Sequence, residues 1–428
     1  MTTDERGRRP LHLAVALDGA GWHPAAWRLA GLAPGSLFTA QHWIGLVRLA
    51  ERGLLDLVTL EDSLGLQSSR WDGLDDRLDQ PRGRLDAVMT AARVAPTTSN
   101  IGLVPTAFTT HTEPFHLSKA LATLDYVSAG RAGWRAQITA RQSDAAHFGR
   151  RQMYPGRSGR RDDPEARRAV NELFEEASDY VEVVRRLWDS WEDDAVIRDT
   201  DRGRFVDGDK LHYVDFSGPF FSVRGPSITP RPPQGQPVVI ALAHGPQAYR
   251  FAASAADVVL VTPVDKEDAA RISAEVREHE RGLGRNRPLL IFADLLVVLE
   301  ADGRAAEHRW QSLDAFDGAE HRSDARRFSG RPEDLADLMA EWQEAGIEGF
   351  RLRPAVLSID LPAIVEGLVP ELQRRQAFRQ AYESSTLRGH LGLARPDNRY
   401  SSTDATPAGV SVPDLSSDRV SVGGGGDR

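Results

Sequence analysis

The sequence alternates between short apolar segments and longer segments of helical periodicity, and this alternation constrains the fold more than any other feature. Eight of the apolar segments are of strand length: 11–17, 54–61, 100–108, 132–139, 237–243, 256–262, 289–300 and 349–357. Most of them precede an amphipathic helical segment, as in repeated βα units. Eight such units close most naturally into a (β/α)8 TIM barrel, so we predict an α/β protein of this class. A doubly wound sheet is the alternative, and the lack of a glycine-rich βα turn disfavours it.

One segment interrupts the alternation in the middle of the chain. Residues 171–191 carry an apolar helical stripe and predict the fourth helix. Residues 195–236, rich in Gly, Pro and Asp, follow this helix as an insertion. The polar stretch 149–168 follows the fourth strand, where it is either a mobile lid over a site or an ordinary solvated loop.

The two ends of the sequence differ in composition from the part between them. The Ser-, Gly- and Pro-rich residues 401–428 have too little contiguous apolar surface to offset their ordering entropy, which predicts a disordered tail. Residues 1–10 are charged and are predicted to be a flexible N-terminus. We therefore expect the barrel domain to extend from residue 11 to residue 396.

Charge and composition exclude several classes of protein. The net charge is −9 and the cations form no dense stripe, which argues against a nucleic-acid partner. The absence of cysteine excludes disulfides and thiolate metal sites. The longest apolar run, 288–299, is interrupted by Asp294 and is shorter than the roughly 20 residues of a membrane span. With no apolar leader segment at the N-terminus, we expect a soluble, cytoplasmic protein.

Common catalytic motifs are absent from the sequence. It contains no phosphate-binding loop, no G-x-G-x-x-G after a strand, no H-E-x-x-H and no G-x-S-x-G. His111 and His116 lie on either side of Pro114, which favours a loop histidine and a helix-start histidine over metal ligands. We therefore predict no metal site.

Polar and aromatic residues lie in or directly after the predicted strands, at the end where barrel enzymes bind their ligands. They are His23, Trp27, Arg28, Asp62, Ser63, Thr106, Thr109, Thr110, Trp134, Arg135, His244 and Gly245. Few polar groups among aromatic ones suit a large, flat, mostly apolar ligand such as a flavin. The sequence thus predicts an apolar cup at the carboxyl ends of the strands.

Several longer segments carry a family resemblance. They include "GWHPAAWR" (21–28), "AERGLLDLVTLEDS" (50–63), "SNIGLVPTAFTTHTEPFHLSKALATLDYVSAGRAGW" (99–134) and "FFSVRGPSITPRPPQGQPVVIA" (220–241). In these segments the chain resembles the bacterial luciferase-like flavin-dependent monooxygenases, in the branch that contains nitrilotriacetate and dibenzothiophene-sulfone monooxygenases. The resemblance extends from residue 11 to about residue 396.

This resemblance implies a two-component oxygenase. A separate NAD(P)H:flavin reductase would supply FMN in its reduced form, FMNH2. The barrel would bind FMNH2, let it react with O2, and oxygenate a small organic substrate through a flavin C4a-(hydro)peroxide. Relatives commonly form homo-oligomers, so the resemblance also implies a dimer or a tetramer.

The resemblance implies flavin contacts at five positions: Asp62, Thr106, Arg135, His244 and Gly245. Substrate contacts are implied for His23 and Trp27, although these residues could equally anchor their loop. No catalytic residue is assigned.

Four positions depart from the family pattern. Arg135 stands in place of an asparagine, Val170 and Phe174 in place of a histidine and a tyrosine, and Gly245 in place of a serine.

Arg135 has two interpretations. Its guanidinium could bind the flavin phosphate or an anionic substrate, or it could fill the pocket and form a structural ion pair with Asp62. The altered positions also keep open a flavin-free or non-catalytic barrel that binds a small molecule or a partner protein. Hydride transfer with a deazaflavin is a third possibility. The sequence does not identify the substrate.

Overall fold

The computed structural model describes residues 10–153, 163–285 and 287–401, and its core is a closed barrel of eight parallel strands. The strands are β1 His12–Leu17, β2 Leu57–Leu60, β3 Gly102–Phe108, β4 Gly133–Gln137, β5 Val238–Leu242, β6 Val258–Val261, β7 Leu290–Leu299 and β8 Gly349–Pro354. Each strand pairs with the next along the chain, and β8 pairs with β1 to close the barrel. The predicted (β/α)8 barrel and all eight of its predicted strands are confirmed.

Helices surround the barrel and bury their apolar stripes against it. They are Ala40–Arg52, Ala87–Val94, Pro114–Val127, Gln142–Phe148, Pro164–Asp189, Pro246–Ala255, Lys266–Gly282, Gly303–Asp317, Pro332–Glu344, Leu357–Ala363, Val369–Arg374 and Leu387–His390, with a π-helix at Ile364–Leu368. Side-chain caps fix several of the starts. Asp86 accepts a hydrogen bond from Met89 N at 2.8 Å, and Asp265 accepts one from Asp268 N at 2.8 Å.

Three local features differ from the prediction. The fourth predicted helix begins at Pro164 rather than at residue 171, because Asp163 caps it and Pro164 occupies its first position. The insertion 195–236 is not wholly irregular, since it contains two short antiparallel hairpins. A ninth strand, Arg326–Gly330, pairs with β7 outside the barrel and was not predicted.

Some predictions fall outside the described residues. These are the flexible N-terminus over residues 1–9, the disordered tail over residues 402–428, and the middle of the candidate lid, residues 154–162. Among the helices of the described ranges, none has the length and apolar character needed to span a bilayer.

The barrel interior is apolar at the amino ends of its strands. Leu57, Val104, Ile240, Leu260 and Phe292 lie in one buried cluster. Leu387, in the helix near the C-terminal end of the described chain, belongs to the same cluster and closes this end of the barrel. A methyl group added at Gly102 would lie only 2.5 Å from Leu387 Cδ1, so the closure requires a glycine there.

Candidate functional site

A cavity of about 820 Å³ opens at the carboxyl ends of the strands. Residues at the ends of β1 to β5 and of β8 line it, together with parts of segments 63–85 and 317–324. This is the end at which barrel enzymes bind their substrates. Of the residues that the sequence singled out, His23, Asp62, Ser63 and Arg135 line the cavity.

Arg135 occupies the floor of the cavity. Alternation along β4 turns its neighbour Trp134 outward, where the indole packs beside Tyr180 and donates to Ala107 O at 3.0 Å. Arg135 therefore points into the barrel. Its guanidinium donates to Thr106 Oγ1 at 2.9 Å, to Gln137 Oε1 at 2.6 Å, and to Glu61.

The ion pair that Arg135 forms differs from the predicted ion pair. The structural interpretation of Arg135 names Asp62 as its partner, but the partner is Glu61, because side chains alternate along β2 and only Glu61 points to the barrel axis. Asp62 accepts hydrogen bonds from Ser63 N at 2.7 Å and from Ala87 N at 3.0 Å, and so holds the start of the helix Ala87–Val94. Burial raises the pKa of Asp62, although these two N–H groups oppose the shift.

The ion pair at Arg135 continues across the barrel as a chain of buried charges. Arg351 donates to Glu61 Oε1 at 3.1 Å and forms a bidentate pair with Asp294 at 2.8 and 2.5 Å. Arg353 also donates to Asp294, with its Nε at 2.9 Å. We call Glu61, Arg135, Asp294, Arg351 and Arg353 the ionic layer. All five are buried, and the register that pairs Asp294 with Arg351 aligns them.

The ionic layer shifts the pKa values of its carboxylates. Burial alone would raise the pKa of Asp294, but the guanidiniums of Arg351 and Arg353 outweigh burial and lower it. The same balance, with Arg135 and Arg351 as the cations, lowers the pKa of Glu61. Both carboxylates are therefore charged near neutral pH. The predicted apolar cup is thus wrong for the floor of the cavity, which is ionic.

The ionic layer reaches the rim of the barrel through Asp324. Arg353 Nη1 donates to Asp324 Oδ1 at 2.5 Å. Asp324 Oδ2 also lies 3.3 Å from His244 Nε2, while His244 Nδ1 lies 3.0 Å from Thr262 Oγ1. Burial opposes the shift, but Arg353 lowers the pKa of Asp324 to about 2. His244 is thus a half-exposed rim residue, and it does not line the cavity.

A pair of histidines forms one wall of the cavity. His23 Nδ1 accepts from Ala25 N at 3.1 Å, so Nε2 carries the proton that faces Asp314 Oδ1 at 3.0 Å. The ring of His321 lies 5.0 Å from that of His23. Burial, followed by the neighbouring His23, lowers the pKa of His321 to about 4. His321 is therefore neutral near pH 7.

Other predicted contacts lie away from the cavity. Trp27 is exposed and donates to Asp79 O at 2.9 Å, so it anchors segment 63–85. Thr106 is fully buried and supports Arg135. Gly245 is the N-cap residue of the helix Pro246–Ala255, and as a glycine it has no side chain that could cap the helix. Phe174 packs beside Phe251, with ring centroids 5.9 Å apart, and does not line the cavity.

Most of the ionic layer was not predicted from the sequence. In the sequence, Asp294 interrupts an apolar run, and Arg351 and Arg353 lie in a predicted strand. The sequence signal for the ionic layer was a charged residue inside one buried strand and two arginines at alternate positions of another strand. His321 gave no signal, because it lies in an irregular segment. Within the described ranges, no group of three or more His, Cys, Asp or Glu residues could hold a metal ion.

Comparison with known proteins identifies relatives over most of the chain. A family model described as luciferase-like monooxygenase matches residues 20–350. N-acetyl-S-(2-succino)cysteine monooxygenase of Bacillus subtilis (strain 168) is 30% identical, with 92% of this chain and 99% of that protein aligned. Nitrilotriacetate monooxygenase component A of Aminobacter aminovorans is also 30% identical, with 91% and 98% aligned.

Solved structures show the same fold. EDTA monooxygenase from Chelativorans sp. BNC1 superposes with a TM-score of 0.77 at 24% identity, covering 90% of this chain and 99% of that one. A riboflavin lyase, solved with modified FMN and riboflavin, gives a TM-score of 0.77 at 22% identity, covering 91% and 98%.

Proposed function

Since the chain belongs to the luciferase-like monooxygenase family, whose members are flavin-dependent oxidoreductases, we propose that it is the oxygenase of a two-component system. It takes FMNH2 from a separate NAD(P)H:flavin reductase and uses O2 to oxygenate a small organic substrate. One oxygen atom enters the substrate, the other leaves as water, and FMNH2 becomes FMN. The name of the Aminobacter relative, component A, supports the two-component arrangement.

The observation that carries this proposal is the match between the cavity and a flavin. The cavity volume of about 820 Å³ lies within the range of roughly 300–1,000 Å³ found for ligand and cofactor sites. The lining supplies hydrogen-bond donors from Arg135 and Gln137 and an acceptor from Asp62. The polar edge of an isoalloxazine ring carries both donors and acceptors, so this set of groups fits it.

The ionic layer fixes the donors of the cavity floor. Because Glu61, Thr106 and Gln137 hold the Arg135 guanidinium, it does not need to reorganise when a ligand binds. When bound, the reduced flavin supplies the electrons that activate O2. Phe108 and Ile138 also line the cavity and exclude water from its inner part.

The histidine wall can position a polar group of a ligand in the cavity. His321 is neutral near pH 7, so its ring can form hydrogen bonds there, but a pKa of about 4 makes it too weak a base to take up a proton at that pH. His23, held by Asp314, lies beside it and lines the same cavity. We assign the histidine wall a positioning role within this proposal.

Anaerobic titration with FMNH2 tests the proposal. We expect saturable binding in the micromolar range, followed by incorporation of isotopically labelled oxygen into an accepted substrate. The flavin-free alternative predicts no binding even at millimolar flavin, and that result would overturn the proposal. The double variant Arg135→Asn/Glu61→Gln removes the donor without leaving an unpaired buried carboxylate. It should weaken FMNH2 binding by about tenfold, the worth of one hydrogen bond to a charged group.

A further inference from the structure

One loop lies across the mouth of the cavity. Residues 63–85, which we call the strap, join β2 to the helix Ala87–Val94 without a helix or strand of their own. Asp62 accepts hydrogen bonds from the backbone at both ends of the strap, from Ser63 N at 2.7 Å and from Ala87 N at 3.0 Å. The strap therefore begins and ends at one side of the mouth. Its residues that line the cavity include Gln67, Trp71 and Gln80.

Hydrogen bonds inside the strap hold it together as one unit. The Asp75 carboxylate accepts from Ser69 N at 2.6 Å, from Ser69 Oγ at 2.5 Å and from Arg77 N at 3.1 Å. Gln67 N donates to Arg82 O at 3.0 Å, and the Arg82 guanidinium also pairs with Asp75. Because these contacts join the first half of the strap to the second, we expect the strap to move as a whole.

Exposed contacts fix the strap to the segment that follows β4. Ser143 N donates to Asp72 Oδ1 at 2.8 Å, and the Arg141 guanidinium lies 5.4 Å from the centroid of the Trp71 ring. Hydrogen bonds from Ser143 lower the pKa of Asp72, and the charge of Arg141 adds to this shift. We call these four residues the first anchor. Asp72 is exposed and Trp71 is 41% exposed, so solvent screens the first anchor and its contacts stabilise the strap only weakly.

Stronger contacts fix the strap to the end of the helix that follows β7. Arg77 donates to the two carboxylate oxygens of Asp317 at 3.1 and 2.9 Å, and Gln80 donates to Asp317 Oδ1 at 2.8 Å. We call these three residues the second anchor. The Asp317 side chain is only 7% exposed. Close to it in the chain, Arg84 forms a bidentate pair with Asp18 at 2.9 and 2.5 Å. Bidentate pairs with little exposure are costly to break, so this part of the strap is held more firmly.

The strap covers a carboxylate oxygen beside the first anchor. Asp144 follows Ser143 in the chain, is 3% exposed and lines the cavity. Its Oδ2 accepts from the Thr139 hydroxyl at 2.6 Å, but its Oδ1 is buried without a hydrogen-bond partner among the described residues. A methyl group added at Gly65 of the strap would lie 3.0 Å from this Oδ1, so Gly65 packs directly over it. Covering a carboxylate oxygen without giving it a donor is unfavourable, and this cost falls on the first anchor.

We propose that the strap is a hinged flap over the cavity, which opens at the first anchor and turns on the second. The contacts of the first anchor are exposed, those of the second are partly buried, and the uncovered alternative is better for Asp144 Oδ1, so all three observations favour opening on the same side. The inference goes beyond the proposed function, since it concerns entry to the cavity and not the identity of the ligand. A flap of this kind admits a ligand when it is open and excludes water from it when it is closed.

Hydrogen exchange at single-residue resolution tests the hinge in the ligand-free protein. The Ser143 amide is released when the first anchor opens, whereas the Gln67 and Ser69 amides are released only when the strap itself unfolds. We expect the protection of the Ser143 amide to be at least about tenfold lower than that of the other two. Equal protection of the three amides would show that the strap unfolds instead of turning, and would overturn the hinge.

Asp144→Asn tests the cost of the covered oxygen. The amide keeps an acceptor for the Thr139 hydroxyl and removes the charge beneath Gly65. We expect the protection of the Ser143 amide to rise by about tenfold, because covering a neutral amide costs less than covering a carboxylate. Asp201→Asn, at an exposed position in the insertion, is the matched control and should leave this protection unchanged. Equal or lower protection in Asp144→Asn is what a merely structural carboxylate would give, and it would overturn the proposed bias.

A reversible cross-link tests whether the motion admits a ligand, with FMN as the probe. The chain has no cysteine, so Asp72→Cys/Ser143→Cys places a single disulfide across the first anchor. We expect FMN association, followed by stopped-flow fluorescence, to be at least about tenfold slower in the oxidised variant than in the reduced one. Gln80→Cys/Asp317→Cys is the matched control, and its oxidation should leave the rate unchanged because the second anchor stays closed.

The outcomes separate the flap from the proposed function. Equal association rates for the oxidised and reduced first-anchor variant would overturn the flap and leave the oxygenase proposal standing. If FMN binds to neither form nor to the wild type, the oxygenase proposal fails, and the protection of the Ser143 amide alone decides whether the strap opens at the first anchor.

Discussion

The two halves of the barrel interior are built from the same strands and yet have opposite character. Near the amino ends, the inward positions hold Leu57, Val104 and Phe292. Two to four residues further along the same strands, they hold Glu61, Thr106 and Asp294, beneath the cavity. The inward register does not change between the two halves. The comparison shows that strand alternation decides which residues enter the barrel, whereas the chemistry of the site decides whether they are apolar or charged.

The two halves also differ in what they contribute to stability. Burial of the apolar half is favourable at about 25 cal/mol per Å². Charges in the ionic layer lose their hydration, and their mutual attraction offsets that loss without a dependable gain. An ionic layer is therefore better explained by the site above it than by the stability of the fold.

Asp294→Asn should produce the largest effect, because it leaves two buried guanidiniums, Arg351 and Arg353, without their shared carboxylate. We expect a loss of about 3–5 kcal/mol in the free energy of unfolding, measured by urea denaturation. Asp201→Asn, at an exposed position in the insertion, is the control and should change it by less than about 0.5 kcal/mol. A small loss for Asp294→Asn would show that the ionic layer is hydrated.

Leu387→Ala tests the apolar half in the same way. Leu387 is fully buried against Gly102, so the smaller side chain leaves a cavity at the base of the barrel. We expect a loss of about 3 kcal/mol in the free energy of unfolding. Binding of FMNH2 should stay within about twofold of wild type in urea-free buffer, because the change lies at the far end of the barrel from the cavity. A large loss of flavin affinity would mean that the two halves are coupled.

The contrast also explains what could be predicted from the sequence. The apolar segments and their helical neighbours predicted every barrel strand, because strand and helix periodicities are local properties. The pairing of Arg135 with Glu61 was harder to predict from the sequence than the strands were. It depends on which of two adjacent carboxylates, Glu61 or Asp62, points inward, and a shift of one residue reverses that choice. His321 depends on the path of an irregular segment, which no local pattern specifies.

Acid should weaken the ionic half alone. The folded-state pKa of Asp294 is lowered, so its contribution is complete above the unfolded pKa of about 3.9 and is lost as the pH falls through the folded pKa. The difference in unfolding free energy between wild type and Asp294→Asn should therefore be constant above about pH 5 and shrink in more acidic buffer. The corresponding difference for Leu387→Ala should not vary with pH. Parallel pH profiles for the two variants would contradict the assignment of the acid sensitivity to Asp294.

His244→Ala should produce the smallest effect, because the ionic layer ends at this residue in solvent. Its ring is half exposed, and Asp324 keeps its hydrogen bond to Arg353 when the imidazole is removed. We expect a change of less than about 0.5 kcal/mol in the free energy of unfolding. Because His244 lies outside the cavity lining, the Kd for FMNH2 should rise by less than about threefold, well below the roughly tenfold effect of one charged hydrogen bond. A tenfold rise would instead place His244 in contact with the flavin, as the family resemblance implies, and would extend the ligand site from the ionic floor to the loop that follows β5.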